Sequence, residues 1–443
     1  VGRPALYPFL ALKAVAFSLE HGNTLAACRG YSTFAALLVS IFDDIPRAYR
    51  FSEMALRLNE KVGRARDRGS LLMVCNHMVS VWHEPFSRVV PVQDKAFTTC
   101  LELGDLAFAG YVATLNVWQA FEKGDALDHV LAASAKYAAF ARQAGNEAIH
   151  ALIRLQQQFV ADLQNTTAPS FDEPQDVVVL RKATFGSGIA FHFIMKEVLA
   201  TLGGRYDDVL VAAAECEPFL STITALVVEA THHFHHGLAL AALAPGRKEL
   251  RPLLSAKARR FAAWAAHCPE NFGARSFLLQ AEVARIEGRD LDAIRSYEAA
   301  IRLARNYERV HDEALALETT ARFHRERGLE TAARAYLREA KDAFRRWGAL
   351  GKVQQLEREH PHLREDDIPL ARSTTIGATV DELDLASVVR TMQALTSEIV
   401  LERWIAKVLT TALEGAGAGR AVLLMLPEGR LRGVAEAKVA QGG

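Results

Sequence analysis

The sequence predicts a mainly α protein: an α-solenoid of antiparallel helix pairs, followed by the truncated start of a small α/β domain. Three observations carry this expectation. Glycines recur every 41 residues in the first third of the chain, at Gly22, Gly63, Gly104 and Gly145. Small and aromatic residues stand at repeated offsets between Phe277 and Ala340. After residue 383 a long amphipathic stretch gives way to two short β-type segments.

Each of the four glycines closes a stretch of helical apolar periodicity, over residues 14–21, 55–62, 96–103 and 137–144. Glycine accepts the left-handed backbone that ends many helices, and Asn23, Asp105 and Asn146 follow three of the four as helix-capping residues. Arg64 takes that place in the second repeat. A unit of this length holds two helices of about 16–18 residues and two turns, each helix roughly 25 Å long. A helical-repeat array is therefore expected over residues 1–163. Each pair would bury its apolar side against its neighbours alone, which makes a curved, elongated surface suited to holding other proteins.

Residues 164–176 contain Pro169, Pro174 and several polar capping residues, and read as a loop. The array is expected to resume over 177–363, with helices at 188–202, 206–216 and 221–243. Gly203-Gly204 and Pro218 separate these three, and Pro245-Gly246 and Pro269 mark the next boundaries. Residues 273–347 follow a TPR-like spacing, with Ala281, Gly288, Ala293, Tyr297 and Ala300 at that motif's offsets. Gly328, Ala332, Ala333, Tyr336 and Ala340 repeat the arrangement, the aromatic standing one residue early relative to the glycine.

Residues 364–383 lose the helical period and read as a linker. Asp384 then caps an amphipathic helix that carries Leu385, Val388, Val389, Met392 and Leu395 on one face and reaches about Glu414. A glycine-rich stop at 415–419 precedes a strand at 421–426, a turn at 427–429 and a returning strand at 430–434. A lone hairpin is marginal in water. Residues 384–443 are thus expected to be the N-terminal part of an incomplete domain, with Val1 and Gly443 as fragment boundaries.

Lysine plus arginine equals aspartate plus glutamate at 52 each, so net charge points to neither nucleic acid nor an anionic membrane. Cys28, Cys75, Cys100, Cys216 and Cys268 are scattered singly with no C-x-x-C pair, as apolar fillers in a reducing cytoplasm are. Apolar runs such as residues 34–39 fall far short of the roughly 20 residues of a membrane span.

Candidate chemistry is sparse. His232, His233, His235 and His236 lie together on an expected helix, and His232 and His236 share one face at i, i+4. That pair is the metal candidate, yet two ligands do not make a site that needs three or four, and packing of neutral histidines against the apolar core is the expected reading. His77, Trp82 and His83 near Pro85 read as seam filler between helix pairs. The segment Gly348 to Lys352 lacks the spacing and hydroxyl of a phosphate-binding loop. The glycines of 415–419 precede a strand, whereas a dinucleotide fingerprint follows one. Arg322, Arg325, Arg327, Arg334, Arg338, Arg345 and Arg346 alternate with glutamates, as solvated helix faces do. No catalytic or cofactor-binding residue is expected.

Residues 383–403 (LDLASVVRTMQALTSEIVLER), leading to 419–426 (GRAVLLML), resemble the opening helix and first strand of the GAF domain in large hybrid bacterial signalling kinases. Residues 313–318 (EALALE), 328–340 (GLETAARAYLREA) and 346–353 (RWGALGKV) resemble the close of the same family's helical region. In that family a serine/threonine-kinase-like domain precedes an AAA-type ATP-binding module, helical repeats, a GAF sensor and a C-terminal sensor histidine kinase. The resemblance covers about residues 306–434, and the earlier repeats fit more loosely. It implies a parent protein that signals by two-component phosphotransfer, with ATP and Mg bound in domains outside this chain. No ATP-binding or phosphoacceptor motif of the family has a matching position here. The segment is accordingly expected to be non-catalytic, to contact protein partners or neighbouring domains of its own chain, and to couple the ATPase-type module to the GAF sensor. The alternative is a segment of a helical-repeat transcriptional regulator that binds an inducer or a partner protein.

Overall fold

The computed structural model describes residues 6–24, 26–62, 65–164, 175–365, 420–425 and 432–438. The chain divides into two units, residues 1–367 and 368–443. Among the described residues of the first unit the α-helices are α1 (Leu6–His21), α2 (Ala27–Ser40), α3 (Ile45–Val62), α4 (Arg68–Met78), α5 (Phe86–Glu102), α6 (Leu106–Lys123), α7 (Leu127–Gln143) and α8 (Glu147–Gln164). They continue as α9 (Gln175–Lys182), α10 (Gly186–Leu202), α11 (Tyr206–Cys216), α12 (Val228–Leu243), α13 (Arg251–His267), α14 (Pro269–Ile286) and α15 (Asp290–Asn306). The last four are α16 (Val310–Glu326), α17 (Glu330–Trp347), α18 (Leu350–Glu359) and the short α19 (His362–Glu365). The second unit contributes β1 (Arg420–Met425) and β2 (Arg432–Lys438).

The glycine spacing maps onto helix ends. Gly22, Gly104 and Gly145 hold φ of +92°, +70° and +66°, and Gly63 lies outside the described residues. At Gly104 an added Cβ would meet nothing within 4 Å. Gly104→Ala should therefore cost only the strain of a left-handed alanine, about 1–2 kcal/mol, measured as a shift in the urea midpoint. Gly124→Ala should cost more, because at φ +93° the new Cβ would also lie 2.8 Å from His311 Nδ1.

Sequence character sorts the helices into layers. In α6, α10 and α12 apolar residues occur on nearly every side, so these helices need cover all round. The even-numbered helices from α2 to α16 indeed pack each on the next as an inner layer, and the odd-numbered ones cover them from outside. In α17 the charged residues take the open side while Ala333, Leu337, Ala340, Phe344 and Trp347 face inward.

One expectation fails here. Pairs do not touch only their neighbours, because the inner layer closes on itself and α18 packs against α8. Trp82 Nε1 donates to the Ala225 carbonyl at 2.8 Å, and Asn271 Nδ2 donates to the carbonyls of Val81 at 2.8 Å and Glu84 at 2.9 Å. Arg309 Nη1 donates to the Glu122 carbonyl at 2.8 Å, and Lys352 Nζ to that of Leu202 at 2.6 Å. A single apolar cluster runs from Ala35 to Leu363. The reason is the apolar inner side of α6, α10 and α12, which an open array would leave in water at about 25 cal/mol per Å².

Two further expectations need correction. The helix expected over 221–243 begins only at Val228, after a 3-10 turn at Glu217–Thr222. Thr222 and Thr224 spend their hydroxyls on the carbonyls of Phe219 and Ser221 at 2.6 and 2.8 Å, and Ala225 takes φ +65°. Such local bonds compete with a helical path. In the TPR-like region Tyr297 is fully buried between its helices, but Tyr336 is only half-buried and Leu337 fills the equivalent slot. The one-residue offset of the aromatic from the glycine turns it about 100° off the seam.

α8 ends at Gln164 and α9 starts at Gln175, so most of the expected loop lies outside the described residues. The same holds for the linker beyond α19 and for the helix expected over 384–414. β1 and β2 pair antiparallel, Arg420 opposite Lys438 and Met425 opposite Arg432, with an irregularity between Leu423 and Leu424. The returning strand thus runs over Arg432–Lys438 instead of 430–434, long enough to pair with all of β1.

Candidate functional site

Where the inner helices meet, the first unit holds buried polar groups that a helical array does not need for folding. Two clusters stand out. The first surrounds the histidines of α12. His232 is 1% exposed, and its Nδ1 lies 2.8 Å from Oε1 of Glu197 on α10, which is itself fully buried. Cys216, the last residue of α11, is also fully buried. One ligand atom from each of Glu197, Cys216 and His232 lies within 4.8 Å of the others.

Burial dominates the electrostatics. It raises the Glu197 carboxyl well above the usual carboxylate range, against the pull of the Lys257 ammonium. It holds His232 down to about 4 and pushes the Cys216 thiol up. Burial thus drives both partners of the 2.8 Å Glu197–His232 contact toward their neutral forms. Glu197 Oε2 has no hydrogen-bond partner.

The rest of the cluster is tied to α13. Lys257 Nζ stands 2.6 Å from His233 Nδ1, and Arg260 Nη2 donates to Glu229 Oε1 at 2.7 Å. Burial lowers Lys257 to about 8 and His236 to about 3. The ring of His236 lies 5.6 Å from that of His232. Among the described residues, His232 of the candidate pair groups with Glu197 and Cys216, whose ligand atoms lie within 4.8 Å of one another, and the ring of His236 lies beside that of His232. The partners escaped a search by local spacing because they sit on two other helices. A signal existed in Glu197, a carboxylate within the largely apolar α10, which can hardly avoid burial.

The second cluster is ionic and wholly enclosed. Arg275 on α14 pairs with Glu122 on α6 at 3.0 Å and with Asp312 on α16 at 2.8 Å, and Arg309 Nε donates to Asp312 at 2.6 Å. Two guanidiniums face two carboxylates, all 2% exposed or less. Arg275 Nη2 lies 3.2 Å from His311 Nε2, which makes that histidine the neutral tautomer protonated on Nδ1. Although burial opposes it, the two arginines hold the Asp312 carboxyl far below its usual range. Nothing in the sequence singles out these four residues, because each has ordinary charged neighbours.

The remaining candidates resolve into structure. His77 is fully buried with neither ring nitrogen bonded, and Trp82 stacks on Phe272 at 5.2 Å. His83 packs against Tyr49. Gly348 ends α17 at φ +93°, and Lys352 pairs with Glu318 at 2.6 Å. Of the arginines, Arg327, Arg345 and Arg346 pair with Asp290, Asp342 and Glu313. Arg322 departs from a solvated face, since it is part-buried and donates to the Tyr206 hydroxyl at 2.6 Å. The glycines of 415–419 lie outside the described residues.

One groove opens along the inner layer, about 540 Å³ in volume, between α2, α4, α6 and α10. Met73, Met78, Phe108, Tyr111, Phe185 and Phe191 line it, with Arg29, Ser32 and Ser70 among its polar groups. No described helix is long and apolar enough to cross a membrane. In comparisons with known proteins, no family model matches the chain and no curated protein matches it.

Proposed function

We propose that this chain is a non-catalytic interaction and relay segment of a cytoplasmic multidomain signalling kinase, lying between an ATPase-type module and a GAF sensor. The observation that carries the reading is α1. Phe9, Leu10, Phe17 and Leu19 on this terminal helix are 53%, 60%, 58% and 66% exposed. Large apolar side chains left this exposed along one helix mark a contact surface for protein. The resemblance of residues 306–434 to the helical and GAF segments of hybrid kinases supplies the context. ATP and Mg belong, on this reading, to the neighbouring domains.

The test is a binding measurement between the full chain and the ATP-binding module that precedes the repeats in such kinases, supplied as a separate protein. Binding should weaken at least tenfold in the double variant Phe17→Glu, Leu19→Lys, with helical content unchanged. Absence of binding by the unmodified chain sinks the reading.

A second reading, an inducer-binding segment of a transcriptional regulator, is favoured by the groove between α2, α4, α6 and α10. Its volume suits a small ligand, since such sites run to roughly 300–1,000 Å³. An environment-sensitive apolar dye should bind there and be lost in Met73→Arg; dye binding untouched by that change counts against it.

A further inference from the structure

We propose that Glu197, Cys216 and His232 form a buried site for one borderline transition-metal dication, zinc in the first instance, which staples α10, α11 and α12 together. The inference is independent of the interaction reading above.

Three observations converge. The donor atoms are a carboxylate oxygen, a thiol sulfur and an imidazole nitrogen, all within 4.8 Å of one another. Mixed sulfur, nitrogen and oxygen sets suit zinc, and a sulfur ligand argues against magnesium or calcium. The residues come from three different helices, so the cluster is not a by-product of helical periodicity. Finally, Glu197 Oε2 is enclosed without a hydrogen-bond partner, an unfavourable state that a cation would relieve.

Charge balance favours the same ion. Metal binding takes the thiol proton from Cys216 and the carboxyl proton from Glu197, both released to solvent, while His232 offers a neutral lone pair. A dication with one thiolate and one carboxylate is neutral, which a buried position requires. Because all three ligands are buried, loading should occur during folding or through local opening of the α11 end.

The experiment uses the full chain without an affinity tag, refolded with zinc or cobalt and freed of excess metal. One ion per chain should remain, with release of about two protons per ion at neutral pH. Cobalt-loaded protein should show near-ultraviolet thiolate-to-metal charge transfer, abolished in Cys216→Ser and retained in Cys268→Ser. Glu197→Gln and His232→Ala should each weaken binding by more than the roughly 10–100-fold typical of outer-shell changes. X-ray absorption at the zinc edge of the unmodified protein should find one sulfur among nitrogen and oxygen neighbours, which needs no variant to fold. Failure of the unmodified chain to retain metal, a zinc shell without sulfur, or charge transfer that survives Cys216→Ser would overturn the proposal.

Discussion

Arg275→Ala should lower the unfolding free energy by about 3–5 kcal/mol, as removal of one partner from a buried ion pair does. The side chain is 2% exposed and links Glu122 to Asp312 across three inner helices, α6, α14 and α16. Without it Glu122 keeps only Thr231 as a side-chain bond, and Asp312 keeps Arg309. Two carboxylates would then be enclosed with one guanidinium between them. The double variant Arg275→Met, Asp312→Leu should cost less than the sum of its single changes, with a coupling of about 0.5–3 kcal/mol. Urea denaturation of the unmodified chain, Arg275→Ala and the three variants of the Arg275→Met, Asp312→Leu cycle measures both numbers. Arg289→Ala is the control: its ion pairs to Glu287 and Asp292 lie in solvent, and its midpoint should hardly move. Equal effects at Arg275 and Arg289 would mean that the inner layer is wetter than its geometry indicates.

Stability should fall steeply as pH drops below about 6.5. Burial lowers His77, His235 and His311 to about 3 in the folded chain, while in the unfolded chain histidine titrates near 6.5. Between these values the unfolded state binds more protons, so acid favours unfolding, at about 1.4 kcal/mol per pH unit for each histidine. These three contribute up to about 4 kcal/mol per unit near pH 5, and His192, His232, His233 and His236, lowered by burial in the same way, add to that slope. Glu197 and Glu229, whose pKa values are raised by burial, work in the opposite direction and reduce the slope above about pH 4.5. Asp312 and Glu282, held low by their arginines, add a further loss once pH falls through the ordinary carboxylate range. The measurement is the urea midpoint from pH 7.5 to 4.5, in the unmodified chain and in His77→Leu. His77 makes no hydrogen bond through either ring nitrogen, and its shift is caused by desolvation alone. The variant should therefore lose about 1.4 kcal/mol per pH unit of slope near pH 5. A midpoint flat from pH 7 to 5 would place these histidines in contact with water.

Local features were the legible ones. Gly104 and Gly145, each followed by a capping residue, mark helix ends because left-handed backbone is a local requirement that glycine meets best. Tyr206–Cys216 was readable to the residue, bounded by Gly203-Gly204 before and Pro218 after. The late start of α12 was not, because it depends on which carbonyls the hydroxyls of Thr222 and Thr224 bond. At Tyr336 the spacing already held the answer, a one-residue offset that puts Leu337 in the seam.

Helix pairing, the repeat length and the hairpin after residue 419 were determined by sequence alone, since each depends on residues within a few turns of one another. Closure of the inner layer was decided only in three dimensions. So were the Arg275 network and the meeting of Glu197, Cys216 and His232. Each joins residues in different elements, up to 190 residues apart where Asn271 Nδ2 donates to the Val81 carbonyl. Periodicity reports which face of a helix is buried; what that face meets depends on how tightly the pairs wind, a sum of packing angles to which every interface contributes.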